Sequence, residues 1–319
     1  MLTGGITCCN DMYFYPEAAA RAYQTTGLRA VLGLPVLDFP TPYASDGDAY
    51  LQAGLAARDA FKHAPRLTWM MAPHAPYTVG DATFEKIVTF ARQLDLPIQT
   101  HLQETRGELE ASLATTGETP LARLDRLGAT GPGFVAIHAV HLGPGDRDRL
   151  AAQGCSVVHC PASNMKLASG IAPVTELVAA GVNVALGTDG AASNNRLDLF
   201  AEMRLASLLA KVATGDAAAL PAAEALRMAT LGGARALSLD DRIGSIVAGK
   251  EADLIAVDMG ELADAPVYDP ISHLVHVTSR ERVTDVWIGG ERIVCERRLT
   301  TVDVAALAGR VRLWQQKLA

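Results

Sequence analysis

The chain has 319 residues and a formal net charge of −7, and no Lys/Arg run marks a nucleic-acid footprint. That length suits one large domain or a domain plus a small appendage, and hydrophobic residues at 49% with charged residues at 20% suit a well-buried globular enzyme rather than a disordered chain. Apolar stretches stop well short of membrane-spanning length, the N-terminus has no basic or apolar leader, and Cys8, Cys9, Cys155, Cys160 and Cys295 form no C-x-x-C pair, so a reduced cytoplasmic setting is expected.

Strand-like apolar runs are predicted at 5–11, 28–34, 67–71, 98–101, 134–138, 156–159 and 182–187. Helical periodicity lies between them. In 84–94 the apolar residues Phe84, Ile87, Val88 and Ala91 share one face, and 121–127 and 173–180 are similar. Alternating strand and helix units with near-continuous apolar strands argue a parallel sheet. Seven strands are visible, and a closed barrel of this type takes eight.

Beyond Asp189 the pattern turns helical, clearest at 197–209 and 222–236. Residues 243–258 then read as a turn, a Gly-rich loop and a strand. Residues 283–294 read as a hairpin around Gly289-Gly290. An amphipathic helix at 304–318 follows, with Asp303 as its N-cap. The expected division is a barrel at 1–240, a partial β-sandwich appendage at 241–300 and a C-terminal helix at 301–319.

Three of the strand runs deliver one metal-competent group at the C-terminal end, where a parallel barrel builds its active site. They are His101, His138 and Asp189, and Glu104 follows His101 by three residues. A neutral imidazole ligates a divalent metal, and a nearby carboxylate can shuttle protons. A lone strand-end histidine is most often satisfied by the backbone; three such ends together favour function. Asp189 could instead be a turn or N-cap residue, but Ser193 or Asn194 can cap the following helix. His74, between two prolines, is expected to touch substrate, and Ser193 is grouped with it. His141 is equally a support for the site or a surface residue. In His159-Cys-Pro-Ala-Ser-Asn-Met-Lys166, Ser163, Asn164 and Lys166 are each more often structural than functional, and Cys160 has no evident base. His273, His276 and His63 are expected to lie outside the site.

Several strings together resemble the amidohydrolase superfamily, in its chlorohydrolase and deaminase branch. They are Asn10-Asp-Met-Tyr-Phe, Ala72-Pro-His-Ala-Pro-Tyr, Thr100-His-Leu-Gln-Glu-Thr, His138-Ala-Val-His, His159-Cys-Pro-Ala-Ser-Asn-Met-Lys-Leu-Ala-Ser-Gly, Gly187-Thr-Asp-Gly-Ala-Ala-Ser-Asn-Asn and Gly244-Ser-Ile-Val-Ala-Gly-Lys-Glu-Ala-Asp-Leu. The likeness runs along the whole chain. It implies a (β/α)₈ barrel of the metal-dependent hydrolase kind holding one divalent metal, with Zn²⁺ the expected ion and Fe²⁺ an alternative. It implies His101 and Asp189 as ligands, His138 beside the activated water, and Glu104 as the proton carrier. The implied reaction is deamination of an adenosine-type thioether nucleoside, 5′-methylthioadenosine or S-adenosylhomocysteine. Guanine-type bases and s-triazines are the alternative substrates in the branch.

The sequence departs from this pattern at one point. The family carries a His-x-His pair on its first barrel strand, and none occurs here. The chain is therefore expected to lack the first strand–helix unit, and an inactive fragment is the non-enzyme alternative. Deaminases with a P-C-x-x-C zinc motif are excluded, because that string is absent. The expected partner is a small-molecule substrate, with no nucleic acid and no membrane. Many such barrels form a homo-oligomer, which the sequence leaves open.

Overall fold

The computed structural model describes residues 1–318. Seven parallel strands follow one another around a curled sheet in chain order: β1 (Cys8–Asp11), β2 (Arg29–Val36), β3 (Leu67–Pro73), β4 (Ile98–Leu102), β5 (Phe134–His138), β6 (Ser156–His159) and β7 (Asn183–Leu186). Helices lie between them, including Asp81–Leu94, whose buried residues are Phe84, Ile87, Val88 and Ala91. Every residue of β2 is buried, as a strand covered on both faces requires. Its Leu32 and Leu34 point outward into the helix layer, where full burial is worth about 1.5–3 kcal/mol per side chain. The alternate residue Val31 points inward. With Met70, Val135 and Ala185 it packs on Ala234, Ala236, Leu239 and Ile243, so the chain beyond the last strand closes the floor of the barrel.

The fold is that of a (β/α)₈ barrel with seven of its strands. Among the described residues β1 and β7 each pair with one neighbour, and the sheet is open between them. The β7 edge is partly covered. Gly232 lies so close to the Val184 carbonyl that an added Cβ would sit 2.6 Å from its oxygen. This approach falls in a π-helical turn, Met228–Gly232, which interrupts the single helix expected over 222–236. The observed pieces are Ala222–Arg227 and Gly233–Ala236.

A second, antiparallel sheet holds β8 (Leu254–Val257), β9 (Val283–Ile288), β10 (Glu291–Cys295) and β11 (Arg298–Leu299), in the order β11-β10-β9-β8. Glu291 pairs with Ile288 across Gly289 and Gly290, whose φ angles of 57° and 81° suit the two-residue turn that matches strand twist. The two-residue β11 has too little pattern to be legible in sequence. The Gly-rich string before β8 ends in a buried clamp. Arg29 Nε lies 2.9 Å from Asp253 Oδ2, its Nη2 also reaches Glu251, and both Arg29 and Asp253 are 2% exposed. Asp253 further accepts the Gly289 N–H at 2.7 Å. The last element is the helix Val304–Leu318, capped by Asp303 through the Ala306 N–H at 3.0 Å; Ala319 lies outside the described residues. No described helix is long and apolar enough to cross a membrane.

Candidate active site

The three groups at the strand ends converge. The rings of His101 and His138 stack with centroids 5.5 Å apart, and His138 Nε2 lies 4.0 Å from Asp189 Oδ2. One ligand atom from each of the three lies within 4.8 Å of the others. The backbone turns sharply to deliver them. Gln103, His138, Ala139 and Asp189 are non-glycine residues with φ between 47° and 71°. Left-handed geometry of this kind costs on the order of 1–3 kcal/mol per residue and gathers at functional sites.

Each imidazole is oriented by its other nitrogen. His101 Nδ1 donates to the His74 carbonyl at 2.7 Å, and His138 Nδ1 donates to Asn164 Oδ1 at 2.8 Å. Both rings thus carry the proton on Nδ1 and present an Nε2 lone pair, the arrangement of outer-shell contacts that fixes metal-ligating histidines. Burial, reinforced by His138 and His74, pushes His101 down to about 4, so it is neutral at pH 7. Burial tends to raise Asp189, but donation from Ser163 Oγ at 2.6 Å, Ser193 Oγ at 2.8 Å and the Gly190 N–H at 2.6 Å outweighs it. The carboxyl is held below its usual range. The His101 and His138 imidazoles, with the Asp189 carboxylate, form a donor set that fits a divalent ion of the zinc kind.

Glu104 stands at the edge of this group. Its Oε2 is 3.7 Å from His138 Nε2, and its Oε1 accepts from Ser169 Oγ at 3.1 Å. Glu108 braces the turn beneath it, accepting the N–H of Gln103 at 3.1 Å and of Glu104 at 2.9 Å. His141 supports the same corner, with Nε2 2.8 Å from the Ser169 carbonyl. His74 lies beside His101, centroids 5.0 Å apart, and its Nδ1 meets Thr78 Oγ1 at 3.0 Å. Burial lowers the His74 imidazole from its ordinary value.

Ser193 donates to Asp189 rather than capping a helix. The helix Leu199–Thr214 is capped by Asp198, which accepts the Phe200 and Ala201 N–H groups at 3.1 and 3.2 Å, so the expectation of a Ser193 or Asn194 cap is corrected. His159 is buried with an unpartnered Nδ1, and burial pushes it down to about 3. Cys160 is buried, which drives its thiol well above the usual range and fits an inert side chain. His63 is exposed, and His273 and His276 sit on the helix Pro270–His276, outside the cluster. Lys166 Nζ ties the loops together, donating to the Ala192 carbonyl and Asn195 Oδ1 at 2.9 and 2.7 Å.

The sequence reading did not single out Glu108, Ser169 or Glu202. Glu108 carried a signal, since Thr105-Arg-Gly-Glu108 has the spacing of a capping box. Thr105 does accept the Glu108 N–H, while the Glu108 carboxylate reaches further back to Gln103 and Glu104. Ser169 reaches Glu104 and Glu202 reaches Ala162 through contacts 65 and 40 residues apart in sequence.

The chain belongs to the amidohydrolase family, whose model matches residues 1–293. It is 46% identical over 318 residues to the 5-methylthioadenosine/S-adenosylhomocysteine deaminase of Teredinibacter turnerae, covering all of this chain and 72% of that protein. The crystal structure of an adenosine deaminase from Xanthomonas campestris with bound zinc superposes with a TM-score of 0.97 at 47% identity, covering 99% of this chain and 72% of that one. A triazine hydrolase from Arthrobacter aurescens superposes at 0.89 with 26% identity, over 98% and 73% of the two chains. The family is one of metal-dependent hydrolases, and this chain is a hydrolase acting on C–N bonds.

Proposed function

We propose that the chain deaminates an adenosine-type thioether nucleoside, 5′-methylthioadenosine or S-adenosylhomocysteine, by hydrolysis at a centre holding one zinc ion. The convergence of His101, His138 and Asp189 beside Glu104 carries this reading. Identity of 46% to a nucleoside deaminase, against 26% to a triazine hydrolase, favours the nucleoside over the triazine.

His101 Nε2 and Asp189 would hold the metal, with the His138 Nε2 lone pair facing the same point. When bound, such an ion acts as a Lewis acid and lowers the pKa of a water. Glu104 takes the proton of the attacking water on Oε2 and passes it to the ring nitrogen of the base. It then carries the remaining hydroxyl proton to the amino group, so that the C–N bond breaks, the amino-bearing carbon becomes a carbonyl and ammonia leaves. His138 Nε2, 3.7 Å from Glu104, accepts a hydrogen bond from the same water and sets its direction of attack. His74 keeps Nδ1 on Thr78 and offers Nε2 to the substrate. Ser193 acts through Asp189, to which it donates. The free thiols, Cys155 and Cys160 among them, suit a reducing cytoplasm.

The test is metal content of the purified chain and ammonia release from 5′-methylthioadenosine, S-adenosylhomocysteine, guanine and an s-triazine. The reading expects zinc-dependent release from the first two, abolished by a chelator. Release from guanine or the triazine alone would replace the substrate assignment.

A further inference from the structure

Glu202 lies outside the donor group, yet its carboxylate joins the two loops that hold that group. It sits in the first turn of the helix Leu199–Thr214 and is 1% exposed. Its Oε2 accepts the Ala162 N–H at 3.0 Å, and its Oε1 accepts from Asn194 Nδ2 at 2.7 Å. Ala162 belongs to the short helix Pro161–Lys166, which supplies Asn164 to His138 and Ser163 to Asp189. Asn194 follows Ser193, the second hydroxyl on Asp189. A carboxylate taken out of water is costly unless its lone pairs are filled, and an apolar side chain would occupy the space without that cost. The two bonds to two different loops therefore single out this residue.

We propose that Glu202 is a positioning residue. It locks 161–164 to 189–194, so that the tautomer of His138 and the orientation of Asp189 are set together. Asn164 can hold the His138 proton on Nδ1 only while its amide oxygen keeps its place. That place is fixed by the turn whose N–H ends on Glu202. Asp189 keeps its two hydroxyl donors only while both loops stay in register. The inference rests on the proposed metal-centre reading for its consequence, though not for the bridge itself.

The test uses the 319-residue chain in four forms: wild type, Glu202→Ala, Glu202→Gln and Asn194→Ala. Ring ¹⁵N–¹H spectra of the metal-free protein report the His138 tautomer, and competition with a chromophoric chelator reports Zn²⁺ affinity. Gln can accept from Ala162 and donate to Asn194 once that amide turns over, so Glu202→Gln is expected to keep both signals. Glu202→Ala is expected to give a tautomer mixture at His138 and about tenfold weaker Zn²⁺ binding, the low end for outer-shell changes. Asn194→Ala cuts only the Asp189 side. It should weaken Zn²⁺ binding while leaving the His138 ring signals in place. Native ring signals and affinity in Glu202→Ala would overturn the proposal. Should that variant fail to fold, wild-type affinity in Asn194→Ala would overturn it instead. A wild-type chain that binds no Zn²⁺ would defeat the metal reading, and the ring spectra would still decide the bridge.

Discussion

His138 Nδ1 and Asn164 Oδ1 lie 2.8 Å apart, and that contact decides which nitrogen of the imidazole faces the site. An amide oxygen accepts only, so the ring proton sits on Nδ1 and the Nε2 lone pair points toward Glu104 and Asp189. Asn164→Ala removes the acceptor and frees the ring to flip or change tautomer. kcat for ammonia release should fall about 10–100-fold, the usual cost of losing the partner that orients an active-site histidine, while Zn²⁺ affinity, carried by His101 and Asp189, should move less. Ammonia release and chelator competition on wild type and variant measure the two. Unchanged kcat would mean that His138 needs no such support.

His159 is expected to make the metal-free protein sensitive to acid. Burial depresses its imidazole from 6.5 to about 3, so the unfolded chain takes up this proton at a higher pH than the folded one. The contribution is fully present above pH 6.5. It is lost as pH falls toward about 3, at about 1.4 kcal/mol per pH unit. His101, depressed to about 4, adds in the same direction over the upper part of that window. Urea midpoints recorded in chelator between pH 7 and pH 4 should decline for wild type. They should decline less steeply for His159→Gln, which has no imidazole to charge. Parallel declines would rule out His159 as a source of the sensitivity.

The barrel and the convergence of the candidate site were legible because one local pattern encodes both. Each of His101, His138 and Asp189 ends or follows an apolar run, and strand ends on one side of a parallel barrel must meet. The period of Phe84, Ile87, Val88 and Ala91 showed a helix face for the same reason. What stayed hidden depends on contacts across the chain. Ser169 reaches Glu104, and Glu202 reaches Ala162, only after loops have folded back; no spacing announces either pair. The π-helical turn at 228–232 contains Gly232, which lies too close to the Val184 carbonyl to carry a Cβ, an approach that the helical period does not show. Asp198 as the cap was equally hard to choose, because Ser193, Asn194 and Asp198 all have capping chemistry.

Arg29→Met should destabilise the fold by about 3–5 kcal/mol, the cost of leaving a buried charge without its partner. Asp253 is 2% exposed and takes two bonds from Arg29, while Glu251 keeps Arg242 as a second cation. The deficit therefore falls on Asp253. Met fills similar space, so packing loss is small and the effect reports the charge. A second variant, Arg29→Met with Asp253→Asn, should recover part of the loss, since the uncompensated charge is gone. Denaturant titration of the three proteins measures this. Equal stability of single variant and wild type would show that the clamp is dispensable.

Glu104→Gln should keep the metal and lose turnover. The side chain holds two positions at once: Oε1 on Ser169 and Oε2 3.7 Å from His138 Nε2. A carboxamide can retain the first contact, because its oxygen still accepts from the Ser169 hydroxyl. It cannot take a proton from water or hand one to a ring nitrogen. The site around it should be unchanged, since Gln103 and Glu104 are held through their main-chain N–H groups by Glu108, not through the Glu104 side chain. Zn²⁺ affinity is therefore expected at the wild-type level, and kcat for ammonia release is expected to fall by about 10²–10⁴-fold, the worth of a general acid–base group. KM should move little if the lost interaction belongs to the proton transfer rather than to binding. Lost metal together with lost turnover would make Glu104 a structural part of the centre, and near-wild-type turnover would assign the proton transfer to another group.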